Sequence, residues 1–217
     1  THSERVFVGY MTLFSFLNPI TGSKLRICQA LVLPIFQGKG LARELMLHIY
    51  RTYLSGDGEV SDLTVEDPSP DFQRLRDAVD LEWFWETYGP EHDRHGLEPA
   101  DVAKKLKIIK SQAEFVLEAW DYVTVVNGIV RKMIQNSELK VKKSHEKDAS
   151  IQSSDLESDA KYGSFRLKVK RRLLKANPEL KGLTKKEMQE ELVRLYDDEL
   201  QRFRSIEKVA FERLRIL

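Results

Sequence analysis

Among 217 residues there is one cysteine, Cys28. No disulfide framework can form within the chain, and a reducing compartment is expected. There is no apolar run of roughly 18 residues to span a bilayer, and no signal-peptide pattern, so the chain reads as intracellular, with no membrane partner. Charge of one sign is also lacking: 35 basic residues face 34 acidic ones, for a net charge of +1. That balance argues against holding nucleic acid by bulk electrostatics, and no direct nucleic-acid binding is expected. No internal repeat is present. The sequence opens on Thr1 and enters strand-like residues within five positions, so an upstream part of the fold is expected to be missing. What remains is 41% hydrophobic and 32% charged residues, enough for a real core in a helix-rich protein.

Arg5–Phe16 (RVFVGYMTLFSF) is rich in β-branched and aromatic residues and predicts a strand. Asn18-Pro19-Ile20-Thr21-Gly22 is turn chemistry, and Lys24–Leu33 predicts a second strand, making a hairpin. The second strand is apolar on both faces, with Leu25 and Ile27 on one and Cys28, Ala30 and Val32 on the other, so it is expected to be central and covered on both sides. Leu41, Leu45, Ile49 and Tyr53 follow helical spacing from Gly40 to about Leu54. Ser55-Gly56-Asp57-Gly58 breaks that helix, and Asp62–Val65 is strand-like. Ser69 fits as N-cap, with Pro70 opening a helix that runs to about Tyr88. Strand, strand, helix, strand, helix is an α/β pattern with a partly parallel sheet.

Beyond Tyr88 every predicted element is helical. Gly89–Gly96 is a polar loop, Pro99–Leu106 a short helix, and Ser111 with Glu114 a capping box for a helix to about Met133. Asn136–Gly163 reads as a mobile insert poor in large apolar residues. Phe165–Lys175 predicts a basic helix. Thr184 with Glu187 is a second capping box, followed by a stripe of Met188, Leu192, Tyr196, Leu200, Phe203, Ile206 and Ala210.

Chemistry concentrates at Leu31–Met46 (LVLPIFQGKGLARELM), where an apolar strand ends at Pro34 and a glycine-bearing loop leads into a helix. The free N–H groups of such a loop and helix start suit an anion, most often a phosphate. A Rossmann fingerprint needs a third glycine where Arg43 stands, and a P-loop needs Gly-Lys-Ser/Thr where Gly40-Leu41-Ala42 stands. What remains is Gln-x-x-Gly-x-Gly/Ala, which resembles the pyrophosphate loop of the GCN5-related N-acetyltransferases (GNAT), where it binds acetyl-CoA. The bland alternative is a strand-to-helix turn that binds nothing.

Glu66-Asp67-Pro68 ends the next strand, which puts it at the same sheet edge as the loop. Acetyl transfer to lysine needs a neutral amine, and removing its proton at pH 7 costs about 4–5 kcal/mol from an ordinary value near 10.4. A carboxylate near the amine serves as base, and a second beside it raises the pKa of the first. Equally, two acids here could simply charge the start of the following helix.

LTVEDPSPDFQRLRD (Leu63–Asp77), the QGKGLA loop, GYMTLFSF (Gly9–Phe16) and SFRLKVKRRLL (Ser164–Leu174) together resemble the type B histone acetyltransferase catalytic subunits. The resemblance implies a GNAT core with a mixed α/β sheet, followed by a helical C-terminal domain. Residues 1–90 would be the acetyl-CoA-binding half of the core, and 91–217 the helical domain with a flexible insert near 137–163. Glu66 matches the general base and Asp67 a second acid of the catalytic centre. The backbone of Ala30, Leu31 and Val32 would hold the acetyl and pantetheine end of acetyl-CoA. Gln37, Gly38, Lys39, Gly40, Leu41, Ala42 and Arg43 would hold its pyrophosphate, with Ser69 and Phe72 approaching coenzyme A. Phe14, Ser15 and Phe16 match a segment bordering the tail of newly made histone H4. The implied partner is a WD-repeat histone-binding subunit, and the implied setting is nucleus and cytoplasm. The family's upstream region, which carries another acidic catalytic residue, is expected to be absent.

Other features carry less. Cys28 reads as a small buried hydrophobe. Glu91, His92, Asp93 and His95 suggest a metal, but no further ligand completes a set, so no metal is expected. Lys168, Lys170, Arg171, Arg172 and Lys175 form a basic helix face. The sequence therefore predicts an acetyl-CoA-dependent histone lysine acetyltransferase. The alternatives are a GNAT enzyme for another amine, or a non-catalytic chromatin-binding scaffold.

Overall fold

A computed structural model describes residues 6–18, 22–56, 60–89, 96–141 and 160–214. Three strands, β1 (Gly9–Asn18), β2 (Gly22–Val32) and β3 (Val60–Val65), form one sheet in the order β1-β2-β3. β1 and β2 pair antiparallel from Gly9↔Val32 to Asn18↔Gly22, the hairpin expected from the turn chemistry; Pro19, Ile20 and Thr21 of that turn lie outside the described residues. β2 and β3 pair in parallel from Ser23↔Val60 to Ile27↔Val65. Between them runs α1 (Leu41–Tyr53), after a single 3-10 turn at Pro34–Phe36. β3 leads into α2 (Pro70–Tyr88), and α3 (Pro99–Leu106) and α4 (Lys110–Val141) follow. The mixed α/β fold with a helical remainder is the class expected from sequence.

The local signals act as their chemistry requires. Ser69 Oγ accepts from Phe72 N at 3.3 Å and Pro70 opens α2, so the first turn is capped and pre-set in φ. α3 starts at Pro99 and is C-capped by Lys107, whose left-handed φ of 55° turns the chain back to the sheet. There Leu63 N donates to Lys107 O at 2.8 Å, and Ile108 makes an isolated parallel bridge to Leu63. That bridge starts α4 earlier than the Ser111–Glu114 pattern suggested. Ala113 N already bonds Ile109 O, so Ser111 lies inside the first turn and not at its cap.

The second strand departs from expectation. It is central, but its residues are covered on one side only. Leu25 and Ile27 are buried, whereas Cys28 is half-buried and Ala30 exposed. The pairing shows why: the register jumps from Thr12↔Gln29 to Leu13↔Ile27, leaving Cys28 as an extra, bulged residue. The bulge breaks the strict alternation on which a two-faced reading rests.

The chain divides into two compact units, residues 1–117 and 118–217. The core of the first joins Leu25, Ile27 and Leu63 of the sheet to Met46, Leu47 and Tyr50 of α1, Val79, Leu81 and Phe84 of α2, and Val102 and Leu106 of α3, all at most 5% exposed. The second unit contains the rest of α4, then α5 (Ala160–Ala176), a 3-10 turn at Pro178–Gly182, and α6 (Lys185–Leu214). Thr184 and Glu187 form the expected capping box, with Thr184 N donating to Glu187 Oε2 at 2.9 Å and Glu187 N to Thr184 Oγ1 at 3.4 Å. The Thr184 hydroxyl, which donates to Glu187 Oε2 at 2.6 Å, and after it the Thr184 N–H hold the Glu187 carboxyl below its ordinary range. Tyr196, Leu200, Phe203 and Ile206 of the α6 stripe are buried, and Tyr122, Phe165 and Phe203 pack ring to ring. Residues 142–159 of the expected insert, and the side chain of Ala210, lie outside the described residues.

Candidate active site

The site begins where two paired strands part. Glu66 N donates to Ile27 O at 3.0 Å, the last hydrogen bond between β3 and β2. β2 then continues to Val32 while the other chain turns away at Glu66-Asp67-Pro68. Asp67 adopts a φ of +37°, unfavourable for a non-glycine residue and more so directly before a proline. The divergence opens a cleft of about 140 Å³. Glu66, Asp67, Ser69 and Phe72 line it from one side and Ala30 from the other. Both carboxylates are exposed, free to meet a solvent-borne substrate.

Further along β2, Leu33 N bonds Val8 O at 2.9 Å, so Leu33 and, by alternation, Leu31 turn their backbone groups toward β1. Ala30 and Val32 therefore turn theirs toward the cleft side, where β3 no longer runs. Gln37 Nε2 donates to Val32 O at 2.8 Å, tying the loop to the end of the strand. Gly38 and Gly40 adopt left-handed φ values of 72° and 78°, which favour glycine. A Cβ on Gly38 would meet nothing within 4 Å, so its surroundings are open to a ligand. The first helical bond of α1 is Glu44 N to Gly40 O at 3.1 Å, and no side chain caps the helix. The N–H groups of Leu41, Ala42 and Arg43 are thus left for an anion.

No family model matches the chain. Among curated proteins, a Dictyostelium discoideum protein named histone acetyltransferase type B catalytic subunit is 28% identical over 78% of this chain and 31% of its own length. The mouse protein of that name is 29% identical over 77% of this chain and 34% of its own length. One from Mycosarcoma maydis is 41% identical over 35% of this chain. The chain resembles type B histone acetyltransferase catalytic subunits. It spans about a third of the length of the curated relatives it matches most fully.

Set against that resemblance, the residues singled out in the sequence fall into three groups. Glu66, Asp67, Ala30, Ser69 and Phe72 share the cleft, and the loop adjoins it through Gln37 and Val32. Arg43 presents only its backbone to the loop, because its guanidinium is held by Glu82 of α2 and by Glu44. The Lys39 ammonium lies 5.4 Å from the Phe36 ring centre. Phe14 and Phe16 stand apart on β1, exposed and edge-to-face at 4.6 Å, with the Arg26 guanidinium 4.8 Å above Phe16. Ser15 pairs with Leu25.

Cys28 was not marked for function by its sequence setting. It is not a buried filler but half-buried in the cleft wall. Partial desolvation first, and the neighbouring Glu66 carboxylate second, push its thiol above the ordinary range. Only the bulge brings it there, and a bulge depends on the partner strand. A second cavity of about 780 Å³, lined by Arg51, Trp83, Glu86 and Lys104 among others, contains none of the candidate catalytic, cofactor or substrate residues. No metal-binding cluster occurs among the described residues; Glu91, His92, Asp93 and His95 lie outside them.

Proposed function

We propose that this protein is an acetyl-CoA-dependent lysine acetyltransferase of the GNAT type, acting on the N-terminal tail of newly made histone H4. The observation that carries the proposal is the position of Glu66 at the parting of β2 and β3, in one cleft with Ala30. The names of the relatives support it. The N–H groups of Gln37 to Arg43 would hold the pyrophosphate of acetyl-CoA. The backbone of Ala30 and Val32 would hold the pantetheine arm, with Ser69 and Phe72 beside it, whereas the backbone groups of Leu31, expected from sequence to join them, are turned toward β1. Acetyl-CoA supplies the thioester acetyl group. Glu66 takes a proton from the lysine ammonium, the freed amine attacks the thioester carbonyl, and the acetyl group passes to the lysine nitrogen as coenzyme A thiol leaves. Asp67 stands beside Glu66 as a second acid lining the cleft. Phe14, Ser15 and Phe16 would border the tail, a WD-repeat histone-binding subunit would present it, and the protein would work in nucleus and cytoplasm.

The test is transfer of labelled acetyl groups from acetyl-CoA to a mixture of core histones. Label on histone H4 is expected, and Glu66→Gln should lower turnover at neutral pH by roughly 100-fold or more while coenzyme A still binds. No label, label on other histones alone, or unchanged turnover in the variant would refute the corresponding assignment.

A further inference from the structure

β3 carries Glu66, and one of its edges is held by β2. Its other edge is held partly by a side chain. At Leu63 the N–H donates to Lys107 O at 2.8 Å, and the carbonyl accepts from Arg76 Nη2 of α2 at 3.4 Å. One turn along α2, Asp80 Oδ2 lies 3.5 Å from Arg76 Nε, an ion pair without a hydrogen bond. The other oxygen, Asp80 Oδ1, accepts from the Tyr50 hydroxyl at 2.5 Å. Tyr50 belongs to α1, the helix whose first turn adjoins the glycine loop. Tyr50, Asp80 and Arg76 are all at most 3% exposed. An unbroken buried chain therefore runs from α1 through α2 to the strand that ends in Glu66.

We propose that Tyr50, Asp80 and Arg76 are positioning residues that couple the loop-bearing helix α1 to the strand carrying Glu66. The inference rests on the acetyltransferase reading of the cleft. Packing alone does not call for these residues, since a buried ion pair is often no better for stability than apolar side chains of similar volume. Its end point is informative: the chain stops on a backbone carbonyl three residues before Glu66, on the edge of β3 that β2 does not hold. The ion pair also responds to pH. Burial pushes the Asp80 carboxyl up to about 6. Arg76, the Tyr50 hydroxyl and Gln112 of α4 oppose that rise, while the neighbouring Asp77 adds to it. Asp77 is itself tied by Gln73 at 2.7 Å and Gln112 at 2.8 Å. Above pH 6 Asp80 grips Arg76 as a carboxylate; below it the grip weakens.

The experiment compares the intact protein with Asp80→Asn and Tyr50→Phe, measuring kcat with acetyl-CoA and a histone H4 tail peptide from pH 5.5 to 8. At pH 5.5 about three quarters of a group titrating near 6 is protonated, so the ratio of Asp80→Asn to parent kcat should rise about fourfold between pH 7.5 and 5.5. Tyr50→Phe removes a donor that favours the carboxylate, so it should move the acidic fall in parent activity to higher pH. A flat ratio together with an unmoved acidic limb overturns the inference. Amide exchange over residues 63–66 gives a readout independent of turnover. Protection there should drop in both variants while β1 is unaffected, and unchanged protection overturns the coupling. If the parent transfers no acetyl group, the acetyltransferase reading fails, and exchange alone decides whether the three residues hold β3.

Discussion

Asp80→Asn offers a stability test that needs no substrate. The parent carboxyl is pushed from its ordinary 3.8 up to about 6 by burial, which outweighs the attraction of Arg76. In the window from about pH 4 to 6 the native state therefore holds a proton that the unfolded chain has lost. With more protons bound to the folded state, stability falls as pH rises through that window and levels off above 6. A shift of about two units corresponds to about 3 kcal/mol. Asparagine cannot titrate, so the variant should lack this decline whatever its absolute stability. Glu187, remote in sequence and on another helix, is unchanged between the two proteins and cancels in the difference. Urea unfolding followed by tryptophan fluorescence is suitable, because Trp83 packs edge-to-face on Tyr50 at 6.1 Å and senses the site. Parent stability minus variant stability should fall by about 2 kcal/mol between pH 4 and 7.5, most of that full difference. Parallel curves across that range would refute the assignment of a buried carboxyl titrating near 6.

Further outcomes test the cleft and the second unit. Gly40→Asp puts a carboxylate and a left-handed strain where an anion is to bind, so coenzyme A should no longer raise the Tm; an unchanged shift would refute the loop assignment. A Cβ on Gly9 would overlap the Leu31 carbonyl oxygen and lie 3.0 Å from Val32 Cα. Gly9→Ala should therefore displace the cleft end of β2, costing about 1–3 kcal/mol in denaturant unfolding and, if the proposed cofactor assignment holds, weakening coenzyme A binding in calorimetry. In the second unit, Arg172 bonds Glu118 at 2.9 Å and pairs with Glu199 at 2.5 Å, both carboxylates being at most 7% exposed on their side chains. Arg172→Ala should destabilise that unit by about 3–5 kcal/mol at neutral pH. Burial already holds the Glu118 carboxyl above its usual range, so the loss should shrink as pH falls; a pH-independent loss would argue against buried charge as its cause.

How much was legible follows from the range of each signal. Ser69-Pro70, Pro99 and Thr184–Glu187 act within one helical turn, and the structure has α2, α3 and α6 starting where those residues placed them. The strand–loop–helix around Gly38 and Gly40 was equally local. Long-range pairing was not visible. The bulge at Cys28 depends on how β1 aligns, and the engagement of Arg43 depends on Glu82, 39 positions away. α2 misleads most. Arg76, Asp77, Asp80 and Glu82 are all buried there, although by residue type each would be assigned to a solvent face.

The order of the elements places the cleft more firmly than any single motif does. β2 and β3 run parallel with α1 between them, so both strands deliver their C-terminal ends to the same sheet edge. One end feeds the glycine loop and the other feeds Glu66, and the parallel pairing of β2 with β3 brings them together. What converts a shared edge into a cleft is unequal length. β2 carries on through Cys28 to Val32, five residues past its last partner on β3, and the bulge bends it where the two part. A substitution that lengthened β3 pairing past Ile27, such as replacing Pro68 with a residue that supplies the missing N–H, would act against the site without touching a carboxylate or the loop.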